Sequence, residues 1–549
     1  MSVAGLKVLH LPLWRRGRSS FWQYAGAVGA LVFFAYVGWG NNGLWYQGDS
    51  SIHATNGLFW SDLFRALPLR PVHFALGYYA RFPSISPIAY PPFFYLVEAA
   101  AYGLFGPSPF VGKALVIGFS FLGALYVIAW MRRWVAQEAG WLGILFLLQP
   151  AILVWGHAVM LNVPCTALGI AALYHWRRWL EEPTSNQIWY TASFAILAVF
   201  TYLPTVVIVL VMLAWAIATG KFRLLLDRRA IFCVIMAAVP LLLWTRIEGH
   251  WDEGYRQAAL YLGPYPVWKF SAWTFYIDRA PELVRVPILA LAVVGLILAW
   301  IRPSWRTDAT MLLIWLLVCY VWFSVFAVKE PRYALLLIPP LLILAAIALT
   351  EGARFLGAAG EPALVAAAFV LLLWQGFNAS ALRLPVLSGF SPIVAYLRHR
   401  DPNAWIFYDG NYSELFTYYY RLQDPDFSGG VVRADKLLYA TNIDPAFGLR
   451  ENVSSVADVM ELVREDCGCR YVVAERRDPD AIARERYLRE ALRNPEFHLL
   501  ASFPVDTRHA SIVDVYQYTG PLTTPTELTF RFPVAGDNVR LGIKPIGHR

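Results

Sequence analysis

Charge is scarce in this chain of 549 residues. Asp, Glu, Lys and Arg make up 15% of it, against roughly 25% in ordinary soluble domains. Apolar residues reach 58% and mean hydropathy is +0.46. A soluble globule has no interior for that much apolar surface, and disorder requires the opposite composition, so both are excluded. Cysteine is also scarce, at five residues. Cys165, Cys233 and Cys319 fall in apolar runs, where cysteine acts as a small buried hydrophobe. Cys467 and Cys469 stand one residue apart, a poor spacing for a zinc pair or a relaxed disulfide. The first apolar run lacks a small-residue cleavage site, which predicts a retained span rather than a removed signal peptide. No internal repeat is present.

The net charge of +8 and pI near 9.1 raise the question of nucleic acid, and the distribution of charge answers it. Residues 1–384 carry 27 basic and 16 acidic side chains, while 385–549 carry 19 and 22. The excess belongs to the apolar part, so no nucleic-acid partner is expected. Apolar runs at 21–40, 111–131, 140–156, 158–176, 229–245, 286–301, 309–327, 333–350 and 363–378 are long enough for a hydrocarbon core of about 30 Å. The run 188–219 is broken at Thr201-Tyr202-Leu203-Pro204, where proline interrupts a helix, and reads as two short helices. The expectation is a polytopic α-helical membrane protein with about eleven spans. Alternate loops hold 15 basic and 7 acidic residues. By the positive-inside rule these loops, and the N-terminus, are cytoplasmic. Residues 41–110, 246–285, 328–332 and everything after 384 then lie outside.

Three external segments hold candidate site residues. In the first, Asp49 stands just beyond the first span, where a carboxylate is expensive unless it has a task or a partner. It could instead cap a helix over 51–62. His53 shares a face with it, and interfacial helices are expected through 41–110. In the second, 246–285, Asp252, Glu253 and Arg256 sit among aromatics, as in a sugar or headgroup site; an aromatic belt accounts for many of the rings equally well. The third is Val328-Lys329-Glu330-Pro331-Arg332-Tyr333, where two cations are placed to clamp an anionic headgroup. Snorkelling with a local ion pair is the plainer alternative.

Four features occur in order along residues 20–350. They are Asp49 after the first span, Tyr90-Pro91-Pro92-Phe93 followed by Leu104-Phe105-Gly106, Met160-Leu161-Asn162-Val163-Pro164, and Lys329-Glu330-Pro331-Arg332-Tyr333 leading into an apolar span. Together they resemble the GT-C superfamily of glycosyltransferases, and within it family 39, the protein mannosyltransferases and lipid A aminoarabinose transferases. The resemblance implies a polyprenyl-phosphate sugar donor, inversion at the anomeric carbon, and Asp49 as the catalytic carboxylate. It departs at Ser50, where a second acid is common, at Asn162, where Asp is common, and at Tyr202, where Lys commonly follows the threonine. Substrate contacts are expected from His53, Tyr90, Pro91, His157, Asn162, Tyr202, Asp252, Glu253, Arg256, Lys329, Glu330, Arg332 and Tyr333.

The chemistry follows from the residue types. A carboxylate removes the proton of an attacking hydroxyl, and fixed cations stabilise the phosphate that leaves. No dedicated metal cage is visible, although a divalent cation between Asp49 and the phosphate would fit this scheme. The acceptor is a glycolipid, glycan or protein hydroxyl. A transporter or flippase of lipid-linked sugars, or an inactive receptor for envelope glycolipid, remains the alternative. The tail 385–549 reads as a separate extracytoplasmic α/β domain, with helices near 391–399, 413–421, 455–465 and 478–493 and strands at 404–408, 471–474, 499–505 and 512–518. It has no glycine-rich phosphate loop and no convincing catalytic triad. Arginine outnumbers lysine 39 to 7, a bias common in GC-rich bacteria, so the expected location is a bacterial inner membrane.

Overall fold

A computed structural model describes residues 18–37, 48–86, 89–261, 263–382, 384, 386–441, 449–476, 483–507, 510–523, 527–531 and 538–542. It opens with α1 (Arg18–Val37), then three helices of the first long loop, α2 (Gly48–Ala66), α3 (Pro71–Arg81) and α4 (Phe93–Phe105). The bundle continues with α5 (Pro109–Trp134), short α6 (Gly140–Gly143) and α7 (Pro150–Trp155), α8 (Asn162–Glu181), α9 (Gln187–Val199) and α10 (Val207–Ala218). Next come α11 (Arg228–Tyr261), α12 (Phe270–Asp278), α13 (Ala280–Leu283), α14 (Val286–Ile301), α15 (Arg306–Val325), α16 (Ile338–Arg354) and α17 (Gly360–Ser380).

Five helical segments among the described residues are long and apolar enough to cross a membrane, or six if the bent pair Phe270–Leu283 and Val286–Ile301 counts as one span. The sequence reading of eleven is therefore larger than length and composition of the folded helices support. The reason is local. Pro150 starts a new helix, so the run 140–156 folds as α6, a 3-10 turn and α7. The run 188–219 splits at the expected break into α9, a 3-10 turn holding Pro204, and α10. Phe21–Val37, Gln187–Val199 and Leu203–Ala218 are apolar but shorter than a full crossing.

Burial separates central from peripheral helices. The segment Pro331–Arg354 is 83% buried over its apolar window, whereas Arg228–Arg246 is 11% and Gly357–Ser380 is 17% buried. The peripheral pair expose Val234, Ile235, Leu242, Val370, Leu373 and Phe377, side chains suited to lipid. α14 packs along α16 at Gly295, where a Cβ would lie 1.9 Å from the Leu344 carbonyl oxygen. Glycine is what allows these helices to come that close.

α2 and α4 form the floor of the first long loop. Glu98 on α4 is fully buried against α2. Its Oε1 accepts from Tyr102 Oη at 2.8 Å, while Oε2 has no partner among the described residues. Burial pushes its carboxyl well above the usual range, which favours the neutral acid. A Cβ at Gly57 would lie 2.1 Å from Oε2. Gly57→Ala is expected to destabilise the protein by about 1–3 kcal/mol through overpacking. Thermal unfolding in detergent measures it, and much of the loss should return in a Glu98→Ala background.

The C-terminal region holds a five-stranded sheet. Its strands are β1 (Trp405–Asp409), β2 (Gly430–Arg433), β5 (Tyr471–Glu475), β6 (Phe497–Pro504) and β7 (Ile512–Tyr518), in the order β2-β1-β5-β7-β6. β1 runs parallel to β2 and β5, and β7 antiparallel to β5 and β6. Hairpins β3 (Tyr439–Thr441) with β4 (Leu449–Glu451) and β8 (Glu527–Arg531) with β9 (Asn538–Gly542) stand apart from it. Alternation along β1 sends Ile406 and Tyr408 into one apolar cluster and Phe407 into another, so the sheet is covered on both faces. Helices α18 (Phe390–Arg400) and α19 (Ser413–Gln423) join the first cluster.

This region is bolted to α2 and α3. Arg421 on α19 donates from Nε and Nη2 to Asp62 Oδ2 at 3.0 and 2.6 Å, and Tyr78 Oη donates to the same oxygen at 2.9 Å. The Arg421 guanidinium also lies 4.3 Å from the ring centre of Phe427. Arg81 adds a bond from Nη1 to the Gly429 carbonyl at 3.0 Å.

Candidate active site

α2 begins at Gly48, earlier than the sequence pattern predicts, so Asp49 sits in its first turn rather than at a cap before residue 51. Unpaired N–H groups there favour a negative side chain. Arg332, 283 residues later, opens the short 3-10 segment Pro331–Leu337 that leads into α16. Its Nη2 donates to Asp49 Oδ2 at 2.7 Å and to Glu330 Oε1 at 2.9 Å. The guanidinium is 3% exposed, Asp49 is 41% exposed and Glu330 28%. Trp155 and Tyr333 lie against the cation at 5.5 and 5.3 Å from their ring centres, and Tyr202 stacks on Tyr333. A planar cation among rings and carboxylates is held in one orientation.

The arrangement leaves polar atoms for a ligand. Asp49 Oδ1 has no hydrogen bond to a described residue. Arg332 Nη1 meets the Met160 thioether at 3.6 Å, a weak acceptor that a phosphate oxygen would outcompete. Burial alone would raise the Asp49 pKa, but Arg332 and His53 hold it below the usual carboxylate range. Burial pushes Glu330 above that range in spite of Arg332. The pair thus has one ionised, accessible carboxylate and one that protonates more readily. Because the guanidinium already stands between the two carboxylates, they do not form an open cradle for a second cation. Among the described residues no three His, Cys, Asp or Glu side chains gather as a metal site.

His53 lies one turn along α2 and is buried. Its Nδ1 is 2.7 Å from Tyr95 Oη, and Tyr90 meets its ring edge-on at 4.9 Å. The backbone N–H of Phe93 donates to the Phe200 carbonyl at 3.0 Å. That bond ties the Tyr90–Phe93 motif, including buried Pro91, to the break after α9. Burial depresses the His53 pKa to about 4, with Asp49 opposing and Arg332 reinforcing the shift. Above about pH 6.5 the ring is neutral folded or unfolded; below it the unfolded chain takes a proton that the folded site refuses until about pH 4. Stability is therefore full above pH 6.5 and falls as pH drops toward 4, by up to about 3 kcal/mol from this group. Thermal melts from pH 7 to 4.5 test this, and His53→Gln should flatten the curve.

Lys329 departs from expectation. The sequence places it with Arg332 on an anionic headgroup; its Nζ instead donates to the carbonyls of Phe323, Ser324 and Phe326 at 3.3, 2.5 and 2.5 Å. These are free acceptors at the end of α15, and an ammonium there is favoured by the helix dipole. All three of its donors are used.

His157 is likewise engaged. Nδ1 faces the Leu153 carbonyl at 2.6 Å, Nε2 faces the Phe34 carbonyl at 2.8 Å, and the ring stacks on Phe34. It fastens α7 to α1. Asn162 is buried at the start of α8. Asp252, Glu253 and Arg256 lie on the later turns of α11, and their side chains fall outside the described residues. The structure thus brings Asp49, Glu330, Arg332, Tyr333 and Tyr202 together, with His53 and Tyr90 beside them. Trp155, Met160 and Tyr95 were not expected as contacts. Met160 opens one of the four motifs and the other two lie near one, but an aromatic or Met in an apolar run carries no distinguishing mark.

No family model matches the sequence, and no curated protein matches it. Solved structures do. ArnT from Cupriavidus metallidurans bound to undecaprenyl phosphate is 16% identical, with a TM-score of 0.63 covering 92% of this chain and 99% of that one. The same protein in the apo state gives 0.62 at 15% identity, again over 92% and 99%. The apo oligosaccharyltransferase of Archaeoglobus fulgidus is 12% identical with a TM-score of 0.54, covering 84% of this chain and 70% of that one. The chain shares its fold with ArnT and, less closely, with the archaeal oligosaccharyltransferase.

Proposed function

We propose that this protein transfers a sugar from a polyprenyl phosphate to an extracytoplasmic hydroxyl, inverting the anomeric carbon, with Asp49 as the general base. The observation that carries the proposal is the Asp49–Arg332 ion pair at 2.7 Å, formed in a fold shared with an ArnT bound to undecaprenyl phosphate. Arg332 fixes one carboxylate oxygen and keeps the group ionised. The other oxygen accepts the acceptor's hydroxyl hydrogen as the new C–O bond forms. The phosphate gains charge as the old glycosidic bond breaks, and Arg332 Nη1 is the donor nearest at hand for it.

The same reading sets the protein in a bacterial inner membrane as a multi-pass protein, with a cytoplasmic N-terminus and an external unit after residue 384. The basic residues at 132–133, 177–178, 221–229 and 302–306 support that orientation. Mass spectrometry of envelope glycans and glycolipids with and without the gene tests the function. One sugar should vanish from one class of acceptor. An unchanged glycan profile with accumulated lipid-linked sugar would favour transport instead.

A further inference from the structure

A second polar site lies at the far end of the bundle from Asp49. α8 starts at Asn162, two residues from Met160, the residue that touches Arg332. At 1.5 Å per residue, its Arg177 is roughly 23 Å farther along. α15 makes the same traverse in reverse, from Arg306 to its Lys329 cap. Between these ends is a cavity of about 440 Å³ whose polar lining includes Arg177, Glu181, Thr219, Lys221, Arg306 and Thr310.

Two independent features mark it as built for an anion. Arg177 is 6% exposed, yet its Nη1 has no hydrogen-bond partner among the described residues. The rest of that guanidinium is fixed: Nη2 donates to Asp308 at 2.5 Å, Nε is 3.7 Å from Glu181, and Trp134 lies 4.2 Å from its carbon. A buried, rigidly held cation with an unused donor awaits an acceptor. The second feature is charge: the lining carries the cations of Arg177, Lys221 and Arg306 against the single carboxylate of Glu181. The nearby acids are already occupied. Glu181 accepts from Arg133 and Trp134, and Asp308 from Arg177. Arg133, Arg177, Lys221 and Arg306 therefore outnumber Glu181 and Asp308 by two charges.

We infer that this cavity binds a phosphate group, supplied by an anionic glycerophospholipid headgroup or by a soluble phosphate ester on the side of the membrane opposite Asp49. Basic cavities between spans on the cytoplasmic side suit such headgroups. The inference concerns a different end of the molecule from the proposed transfer site and holds whether or not transfer occurs.

The test uses the full chain in nanodiscs of phosphatidylcholine with and without phosphatidylglycerol, read by native mass spectrometry of retained lipid and by thermal shift. Wild type is expected to retain phosphatidylglycerol selectively. Arg306→Glu and Lys221→Gln should each weaken that retention about tenfold, while the exposed control Arg228→Glu leaves it unchanged. Glycerol 3-phosphate is added in a parallel arm. If it displaces the lipid and raises the melting temperature to the same extent, the source is a soluble ester; if it does neither, the source is the lipid. Equal retention of phosphatidylcholine and phosphatidylglycerol with no response to glycerol 3-phosphate would overturn the inference. So would phosphate binding that survives both Arg306→Glu and Lys221→Gln.

Discussion

Asp49→Asn is expected to lower the rate of sugar transfer by about 10²–10⁴-fold, the range spanned by loss of a positioned general base. The amide keeps the shape and can still accept from Arg332, but it cannot take a proton. Stability should change little. Arg332 retains Glu330 and the rings of Trp155 and Tyr333, so no buried cation is left unpaired. Glu330→Gln is the informative contrast. Both of its oxygens lie against Arg332, Oε1 2.9 Å from Nη2 and Oε2 2.8 Å from Nε, and neither is open to a hydroxyl as Asp49 Oδ1 is, so the same chemical change should cost much less activity. A purified-enzyme time course compares the two. Equal losses would mean that the carboxylates share the role.

Arg421→Ala should produce the largest loss of stability. It leaves Asp62, 6% exposed, with only the Tyr78 hydroxyl on its carboxylate. Removing one partner of a buried pair costs about 3–5 kcal/mol because the remaining charge is stranded. The loss should show first as protease sensitivity in the C-terminal sheet region, since this bridge joins α19 to α2. Asp62→Asn in the Arg421→Ala background removes the stranded charge and should recover a substantial part of the melting temperature. If the double variant is no better than the single, the bridge is not what holds the two regions together. Because α2 carries Asp49 in its first turn, loosening its far end should also lower transfer activity modestly.

The membrane class and most of the C-terminal alternation were readable from composition and period. The strand around Phe407 and the helix around Phe416 fall where the pattern placed them, because turn residues such as Asp401-Pro402-Asn403 separate the elements. β2 was missed. Gly-Val-Val-Arg at 430–433 is too short and too glycine-rich to stand out, and it becomes a strand by pairing with β1. The site was legible in parts: Asp49 and Arg332 could be named individually because charge at a membrane boundary is costly. Their pairing could not, since a contact across 283 residues leaves no local trace. Lys329 shows the converse limit. Its charge was conspicuous, but whether it faced a ligand or the end of its own helix depended on how α15 stopped.

The central claim is that a sugar leaves a lipid phosphate at Asp49 and Arg332. The most direct measurement reconstitutes the purified protein in vesicles with a polyprenyl phosphate carrying a radiolabelled sugar, together with envelope extract as acceptor. The account predicts that label moves to an acceptor, that free polyprenyl phosphate is released in equal amount, and that Asp49→Asn slows both by about 10²–10⁴-fold. Label that crosses the bilayer still attached to its lipid, at the same rate in Asp49→Asn, would contradict it.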